Sequence, residues 1–350
     1  MTVPAGDLLA IAISGINASD NPAPGTGVAR SLIEDGGLDC RIAGLSYDAL
    51  EPGIYLDWLF ERSYMVPYPT ASERALMQRL LYVRDSFGMD VVIPTLDSEL
   101  PFYVRNSQRL QDLGVHSLLP TEEQYRLRAK GRLREVAEQA DIEAPAQRLV
   151  SSHEELIEAV KELGFPVMVK GSLYKAYVAH SMDAAMSLFG KIAAEWGYPV
   201  IVQRRVEGDE LNVVGLGDGE GGLAGMVAAR KLSVTELGKI WTGVTIRNPG
   251  LEEAVRRFVS AFRWRGGFEM ECIVDEGRIW LIEINPRFPA WVYFATGVGI
   301  NLPSRLVRLA LGQEVETRSD YPAGKLYVRY TMEQVSDMQR FQNMVTRGET

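Results

Sequence analysis

The sequence predicts an α/β domain built on a parallel sheet, followed by an α+β region with antiparallel pairing. Three observations carry this. In the first third, short apolar strands alternate with amphipathic helices, the order that produces parallel sheets. In the middle, strands turn back on each other through short connections. Near residues 266–287, two strands joined by Asp-Glu-Gly carry acids on both arms.

In chain order, "LLAIAISG" (8–15) is an apolar strand ending in glycine, and "GTGVARSLIEDGG" (25–37) starts a helix. "DCRIAGLSYD" (39–48) is a second strand, "ASERALMQRLLYVRDSFGM" (71–89) has a strong helical period, and "DVVIPTLDSELPFY" (90–103) is a buried strand that breaks at Pro94. Ligands on parallel sheets sit beyond the carboxyl ends of the strands, which makes Ser14–Asn17 and Thr95–Glu99 candidate positions. For Asp97 and Glu99 the competing reading is helix capping or a solvated loop. The Gly25-Thr-Gly27 pair is a weak phosphate signal, and a tight turn is its commoner meaning.

The segment "RLRAKGRLREVAEQADIEAPA" (126–146) reads as one helix, and "SSHEELIEAVKELGF" (151–165) as another with a capping box at Ser152 and Glu155. "FPVMVKG" (165–171) is a strand, "AYVAHSMDAAMSLFGKIAAEWG" (176–197) a strand and helix, and "YPVIVQRRVEGDELNVVGLGDGEGG" (198–222) a strand, turn and strand. "LAGMVAARKLSVTELGKIWTG" (223–243) is a strand ending at Arg230 and Lys231, then a loop carrying Gly238 and Gly243. "LEEAVRRFVSAFRW" (251–264) is an amphipathic helix. The tail "TMEQVSDMQRFQNMVTRGET" (331–350) is a terminal packing helix or a partly ordered end.

Composition narrows the function classes. At 350 residues the chain has room for two or three cores, and its 46% apolar and 24% charged content is ordinary for a globular protein. A net charge of −9 argues against nucleic acid or an anionic membrane as partner. Cys40 and Cys272 are too few for a disulfide framework or a Cys-based zinc site. His116, His153 and His180 are scattered, and no G-x-S-x-G elbow is present. The opening "MTVPAGDLLAIAISG" reads as a first strand rather than a signal peptide, and no apolar stretch approaches the ~18 residues of a membrane span, so a cytoplasmic location is expected.

The most informative stretch is "GGFEMECIVDEGRIWLIEINPR" (266–287). Period-two alternation puts Glu269 and Glu271 on one face of the first strand, and Glu283 and Asn285 on one face of the second. Pairing brings Glu271 opposite the Glu283–Asn285 pair. Like charges opposed across a sheet are unfavourable unless a cation lies between them. Two carboxylates and a carboxamide suit Mg²⁺, a hard ion that completes its shell with water and phosphate oxygens. The alternative is a salt-bridged edge hairpin facing solvent lysines. Trp291 and Tyr293 read as core.

"FEMECIVDEGRIWLIEINPRF" resembles the metal-binding hairpin of the ATP-grasp superfamily, which includes biotin carboxylase, carbamoyl phosphate synthetase and D-alanine–D-alanine ligase. The resemblance extends over nearly the whole chain. It implies a pre-ATP-grasp domain over 1–118, an ATP-grasp domain over 119–325 with a lid lobe at about 145–203, and a C-terminal strand and helix over 326–350. It implies ATP and Mg²⁺ or Mn²⁺ as cofactors. Glu271, Glu283 and Asn285 match the metal ligands. Lys130 and Lys170 match residues that reach the nucleotide phosphates, Gln203 and Val206 the segment that holds adenine, and Glu210 the acid on the ribose. Lys231 resembles the basic residue before the flexible active-site loop. Arg287 matches the arginine facing the transferred phosphoryl group or the acyl intermediate. On this footing Arg287, Lys231 and Lys170 are the catalytic candidates.

One departure stands out. The glycine-rich loop expected after Lys170 is replaced by "KGSLYKAYVAHS" (170–181), with Tyr174 and Lys175 at the tip. Lys175 is the expected substitute cover for the phosphates, with the glycine-bearing segment 232–243 as the alternative. The implied activity is ATP-dependent joining of a carboxylate, from a small molecule, an amino acid or a peptide, to an amine. A carbamoyl-phosphate-type kinase of bicarbonate or carbamate and a non-catalytic ATP-binding scaffold are the alternatives. A homodimer is one expected state.

Overall fold

A computed structural model describes residues 8–171 and 175–350. The N-terminal sheet is parallel. It contains β1 (Leu9–Ile13), β2 (Cys40–Ser46), β3 (Arg62–Met65) and β4 (Val91–Ile93), in the order β3-β2-β1-β4. The crossover elements are α1 (Pro24–Ile33), the loop between β2 and β3, and α2 (Glu73–Phe87), which Ser72 caps by accepting from the Ala75 amide. Gly25 belongs to a close contact. A Cβ there would lie 2.1 Å from the Ser14 carbonyl oxygen, so α1 can start against the end of β1 only with glycine. Both glycines lie in the first turn of α1 rather than in a separate tight turn, and the close contact accounts for Gly25.

Beyond β4 the chain forms α3 (Leu100–Asp112), a helix whose pattern the sequence reading missed inside "DSELPFY". Then α4 (Glu122–Arg126) opens with a capping box between Thr121 and Gln124. The single helix expected over 126–146 is corrected here. The chain breaks into a short 3-10 turn over Lys130–Arg132 and α5 (Leu133–Gln139). Lys130 therefore opens a 3-10 turn rather than sitting inside a helix.

The small lobe is a four-stranded antiparallel sheet, order β5-β8-β6-β7, with β5 (Gln147–Val150), β6 (Val167–Lys170), β7 (Ala176–Ala179) and β8 (Val200–Arg204). It is covered by α6 (His153–Leu163) and α7 (Met182–Trp196). Ser152 caps α6 by accepting from the Glu155 amide, while the Glu155 carboxylate reaches the Ser151 amide, a one-residue shift from the expected box. Lys175 is exposed at φ 68°, and its carbonyl accepts from the Gly171 amide. Tyr174 lies outside the described residues.

The large sheet has six strands: β9 (Asp209–Asp218), β10 (Leu223–Val234), β11 (Ile240–Thr245), β12 (Arg265–Asp275), β13 (Arg278–Asn285) and β14 (Leu326–Val328), in the order β13-β12-β9-β10-β11-β14. α8 (Pro249–Phe262) buries Leu251, Ala254, Val255, Phe258 and Val259, an i, i+3, i+4 stripe, against one face. Phe268, Met270 and Cys272 of β12 belong to the same core. Their odd-numbered neighbours Glu269 and Glu271 therefore point to the opposite face. The loop expected at 232–243 is also corrected. Strand β10 continues to Val234, a turn with Gly238 follows, and Gly243 sits inside β11, paired with Lys231. The hairpin tip is tied to the N-terminal region, because Thr235 Oγ1 donates to Asp20 at 2.7 Å.

α9 (Tyr293–Gly297) and α10 (Leu302–Ala310) pack on α1, and α11 (Met338–Arg347) closes the chain. The end is ordered by pairing. The Met65 amide donates to the Gly348 carbonyl at 2.8 Å and the Thr350 amide to the Ser63 carbonyl at 3.1 Å. No helix among the described residues is long and apolar enough to cross a membrane.

Candidate functional site

The site is built on the open face of the large sheet. Strands β9, β12 and β13 stand side by side, and their register aligns polar residues in rows. Asn212, Glu271 and Glu283 form one row, and Val214, Glu269 and Asn285 the next. The sequence reading placed Glu271 against Glu283 and Asn285 together. The register resolves this into Glu271 with Glu283 and Glu269 with Asn285. Just past this pair the register slips, with Cys272 opposite Leu281. Such a bulge lets β13 turn Leu281 into the α8 core while Glu283 stays on the open face.

Lysines arrive from three different elements. Lys231 of β10 lies 3.2 Å from Glu271 and 3.9 Å from Glu210. Lys130, on its 3-10 turn, lies 3.5 Å from Glu283. Lys170 ends β6 in the small lobe, buried, and donates to Gln203 Oε1 at 2.6 Å. Gln203 in turn donates to Gln147 Oε1 at 3.1 Å, and Gln147 to the Lys130 carbonyl at 2.8 Å. One chain of amides thus fixes Lys130 and Lys170 relative to each other. Gln203 has its main chain inside the ladder between β5 and β6, and its side chain holds Lys170. Half-buried Val206 follows it in the connection between lobes, and Glu210 is exposed.

These charges disturb one another. Burial, then the charge of Lys130, lowers Lys170 to about 8. Burial raises the Glu283 carboxyl, with Lys130 pulling it back in part and Glu271 adding to the rise. Lys231 is raised, because Glu271, Glu269 and Glu210 together outweigh the cost of its burial.

Glu269 is the residue that sequence reasoning passed over. It is buried, and it accepts from Trp291 Nε1 at 2.7 Å, from Asn212 Nδ2 at 3.2 Å and from Asn285 Nδ2 at 3.2 Å. Burial, then the neighbouring Glu271, raises its carboxyl to about 7. Its contacts commit the amide nitrogens of Asn212 and Asn285, which leaves their Oδ1 atoms as the uncommitted ends. The available signal was Asn212, two residues from Glu210 in an otherwise apolar strand.

Among the described residues, no three His, Cys, Asp and Glu side chains converge into a metal-holding group. Glu269 is therefore not a third carboxylate for the Glu271–Glu283 pair. What remains is two carboxylates and an amide oxygen oriented by Glu269. Such a sparse, oxygen-only set fits Mg²⁺, which keeps water and phosphate oxygens in its shell.

Arg287 is engaged on the opposite side. Its Nε and Nη2 donate to Asp97 Oδ2 at 3.0 and 2.7 Å, and Arg128 lies 3.0 Å from Asp97 Oδ1. Arg287 and Arg128 together outweigh burial and hold the Asp97 carboxyl low. Asp97 is thus a clamp between the parallel sheet and the hairpin. Glu99 is fully buried and accepts from Ser14, Tyr47 and the Thr95 and Leu96 amides. It ties the ends of β1 and β4 together, and it is neither the solvated loop acid nor the side-chain helix cap that the sequence offered as the alternative to a ligand contact. Trp291 is buried as expected, whereas Tyr293 is half-buried and reaches Glu34 at 2.8 Å.

No family model matches the chain. The carbamoyl phosphate synthase large chain of Gemmatimonas aurantiaca is 28% identical over 200 residues, spanning 52% of this chain but only 18% of that protein. The biotin carboxylase domain dimer of the Hydrogenobacter thermophilus 2-oxoglutarate carboxylase, solved with MgADP, ADP and bicarbonate, superposes with a TM-score of 0.69 at 17% identity, covering 91% of this chain and 74% of that one. An L-amino acid ligase from Bacillus licheniformis superposes at 0.63 and 17% identity, covering 87% and 74%. By the arrangement of its three sheets and by these superpositions, the chain has the ATP-grasp fold of the biotin carboxylase kind.

Proposed function

We propose that this chain is an ATP- and Mg²⁺-dependent ligase that activates a carboxylate as an acyl phosphate for attack by an amine. The observation that carries the reading is the alignment of Glu271, Glu283 and Asn285 on one sheet face, with Lys130, Lys170 and Lys231 converging on it from three elements. Phosphoryl transfer needs positioning and charge stabilisation more than covalent help, and that is what these residues offer. Lys130 and Lys170 bind phosphate oxygens as point charges, locked by Gln147 and Gln203. Lys231 balances Glu271 and Glu210 at the mouth of the cleft. Glu271, Glu283 and Asn285 would hold Mg²⁺, which supplies neutralisation of phosphate charge when bound. Arg287, oriented by Asp97, stabilises negative charge on the acyl group. Val206 and its neighbours line the adenine pocket, and Glu210 contacts the ribose.

The amine and carboxylate classes are supported by the L-amino acid ligase among the structural neighbours. A second reading, phosphorylation of bicarbonate or carbamate, draws on the carbamoyl phosphate synthase relative and on the bicarbonate of the Hydrogenobacter structure. A panel of carboxylic acids, amino acids and bicarbonate, scored for stimulated ADP release and for hydroxamate trapped by hydroxylamine, tests both. An organic acid that gives ADP and hydroxamate is the expected result. Stimulation by bicarbonate alone would favour the second reading, and tight ATP binding without ADP or hydroxamate would leave the scaffold.

A further inference from the structure

We propose that the outer edge of β14, with the chain just after it, is a docking surface for a second copy of this chain, which adds its own β14 antiparallel across a two-fold axis. β14 is the last strand of the large sheet. Its inward bonds come from odd-numbered residues. The Thr245 amide donates to the Lys325 carbonyl at 2.9 Å, and the Arg329 amide to the Trp241 carbonyl at 3.1 Å. In an antiparallel ladder alternate residues point their N–H and C=O groups to opposite sides. Leu326, Val328 and Tyr330 therefore turn theirs outward.

The side chains follow the same alternation. Tyr327 stacks on Phe294 at 5.0 Å between centroids, and Arg329 donates to the Pro22 and Ala290 carbonyls, so the inner face is pinned. On the outer face Leu326, Val328, Tyr330 and Met332 are 62%, 56%, 76% and 60% exposed, and Val335 is 99% exposed. Exposed apolar runs of this kind mark interaction sites. Free edges are ordinarily blunted by proline, charge or a covering element, and no proline follows Pro322. A standard interface takes about 800 Å² from each partner, and five large apolar side chains with the strand backbone beneath them offer an area of that order.

The sequence of the edge selects the occupant, because it is complementary to itself. With the two-fold axis at Arg329, Val328 pairs with the partner's Tyr330 and Leu326 with the partner's Met332. Leu326, Val328 and Tyr330 have outward backbone groups, and extending β14 by the same alternation to Met332 makes these the hydrogen-bonded pairs. In the same register Lys325 faces the partner's Glu333, twice by symmetry. Both side chains are exposed, and neither has an ion-pair partner among the described residues. Moving the axis to Val328 would set Lys325 against Thr331 and lose both ion pairs.

The test is sedimentation velocity and light scattering on the full chain at tens of micromolar. A dimer of the 38.9 kDa chain is expected. Lys325→Glu and Glu333→Lys should each weaken it by about tenfold, through like charges set opposite each other, and the double reversal should restore it. Val328→Pro removes an outward N–H while sparing the bonds to β11, and should give a monomer with an unchanged circular dichroism spectrum. Should that variant misfold, the charge reversals decide alone. A wild-type chain that stays monomeric at 100 μM overturns the proposal. So does a dimer indifferent to the reversals, or one that the double reversal fails to rescue.

Discussion

Two charged groupings lie on either side of the hairpin end, and they differ in kind. In the cleft, Lys130–Glu283 and Lys231–Glu271 stand at 3.5 and 3.2 Å, and burial is only partly offset, so Glu283 and Lys170 are pushed toward their neutral forms. At the junction, Arg287 grips one Asp97 oxygen with two nitrogens while Arg128 takes the other, and Asp97 is held firmly ionised. Loose pairs with spare charge suit a site that awaits a ligand. A close three-residue ion cluster, with one carboxylate between two guanidinium groups, suits a clamp. The lesson is that within one region the lysine–carboxylate pairs are held loosely while Asp97 holds Arg287 in a fixed orientation, so the same residue types differ in how firmly their partners place them.

The sharpest way to break that comparison is at Glu283. Glu283→Gln keeps the volume and removes a charged donor, so Mg²⁺-dependent nucleotide binding should fall by at least the order of 100-fold. Thermal stability should stay near wild type, because the carboxylate it removes was disfavoured by burial. Calorimetric titration with MgADP, and with ADP plus EDTA, reads this directly. Wild-type affinity in the variant would remove Glu283 from the metal set.

The junction should respond in the opposite way. Asp97→Asn leaves two partly buried guanidinium groups without their carboxylate, and losing a hydrogen-bonded charged partner costs about 1.5–3 kcal/mol. The expected outcome is a clear drop in melting temperature and denaturant midpoint. Unchanged stability would make the clamp incidental.

Within the cleft, Lys170→Ala should weaken ATP binding by about 1–3 kcal/mol through loss of a charge-assisted hydrogen bond. Lys175→Ala should cost less, since Lys175 is exposed and not held by any amide chain comparable to Gln203–Gln147. Equal losses in the two variants would restore Lys175 as the cover for the phosphates.

The smallest effect is in proton balance. Lys170 sits at about 8 in the fold against an ordinary 10.5. Between those values the unfolded chain holds more protons, so this lysine's burden on stability is full below about pH 8 and fades as pH rises above it. ATP binding at pH 8.5 should therefore take up a fraction of a proton as phosphate draws Lys170 back to its charged form. Binding enthalpies measured in buffers of different ionisation heat check this, and the uptake should vanish in Lys170→Ala.

Much of this site was legible in advance, for local reasons. Glu283 and Asn285 share a face because strands alternate, and the Asp-Glu-Gly turn folds Glu271 toward them. What escaped were partners far apart in the chain. Glu269 reads in the sequence like another strand acid. Its meaning depends on Asn212 from β9 and Trp291 beyond β13. Arg287 read as a free fork, whereas Asp97, 190 residues away, takes its Nε and Nη2 and sets its orientation. The 126–146 segment has an unbroken helical pattern, yet Gln147 draws the Lys130 carbonyl to itself, and the helix gives way there to a 3-10 turn.

The sequence by itself determined much of the run of strands and helices, though not β3, α3, the break at Lys130 or β11, together with the parallel-then-antiparallel architecture and the acidic hairpin, because periodicity, turns and caps act over a few residues. Only the tertiary structure decided which lysine faces which carboxylate, that segment 232–243 is a hairpin anchored on Asp20, and that the last residues return to pair with β3. Those outcomes are set by packing and by the drive to satisfy buried charge, and both depend on neighbours that the local pattern does not contain.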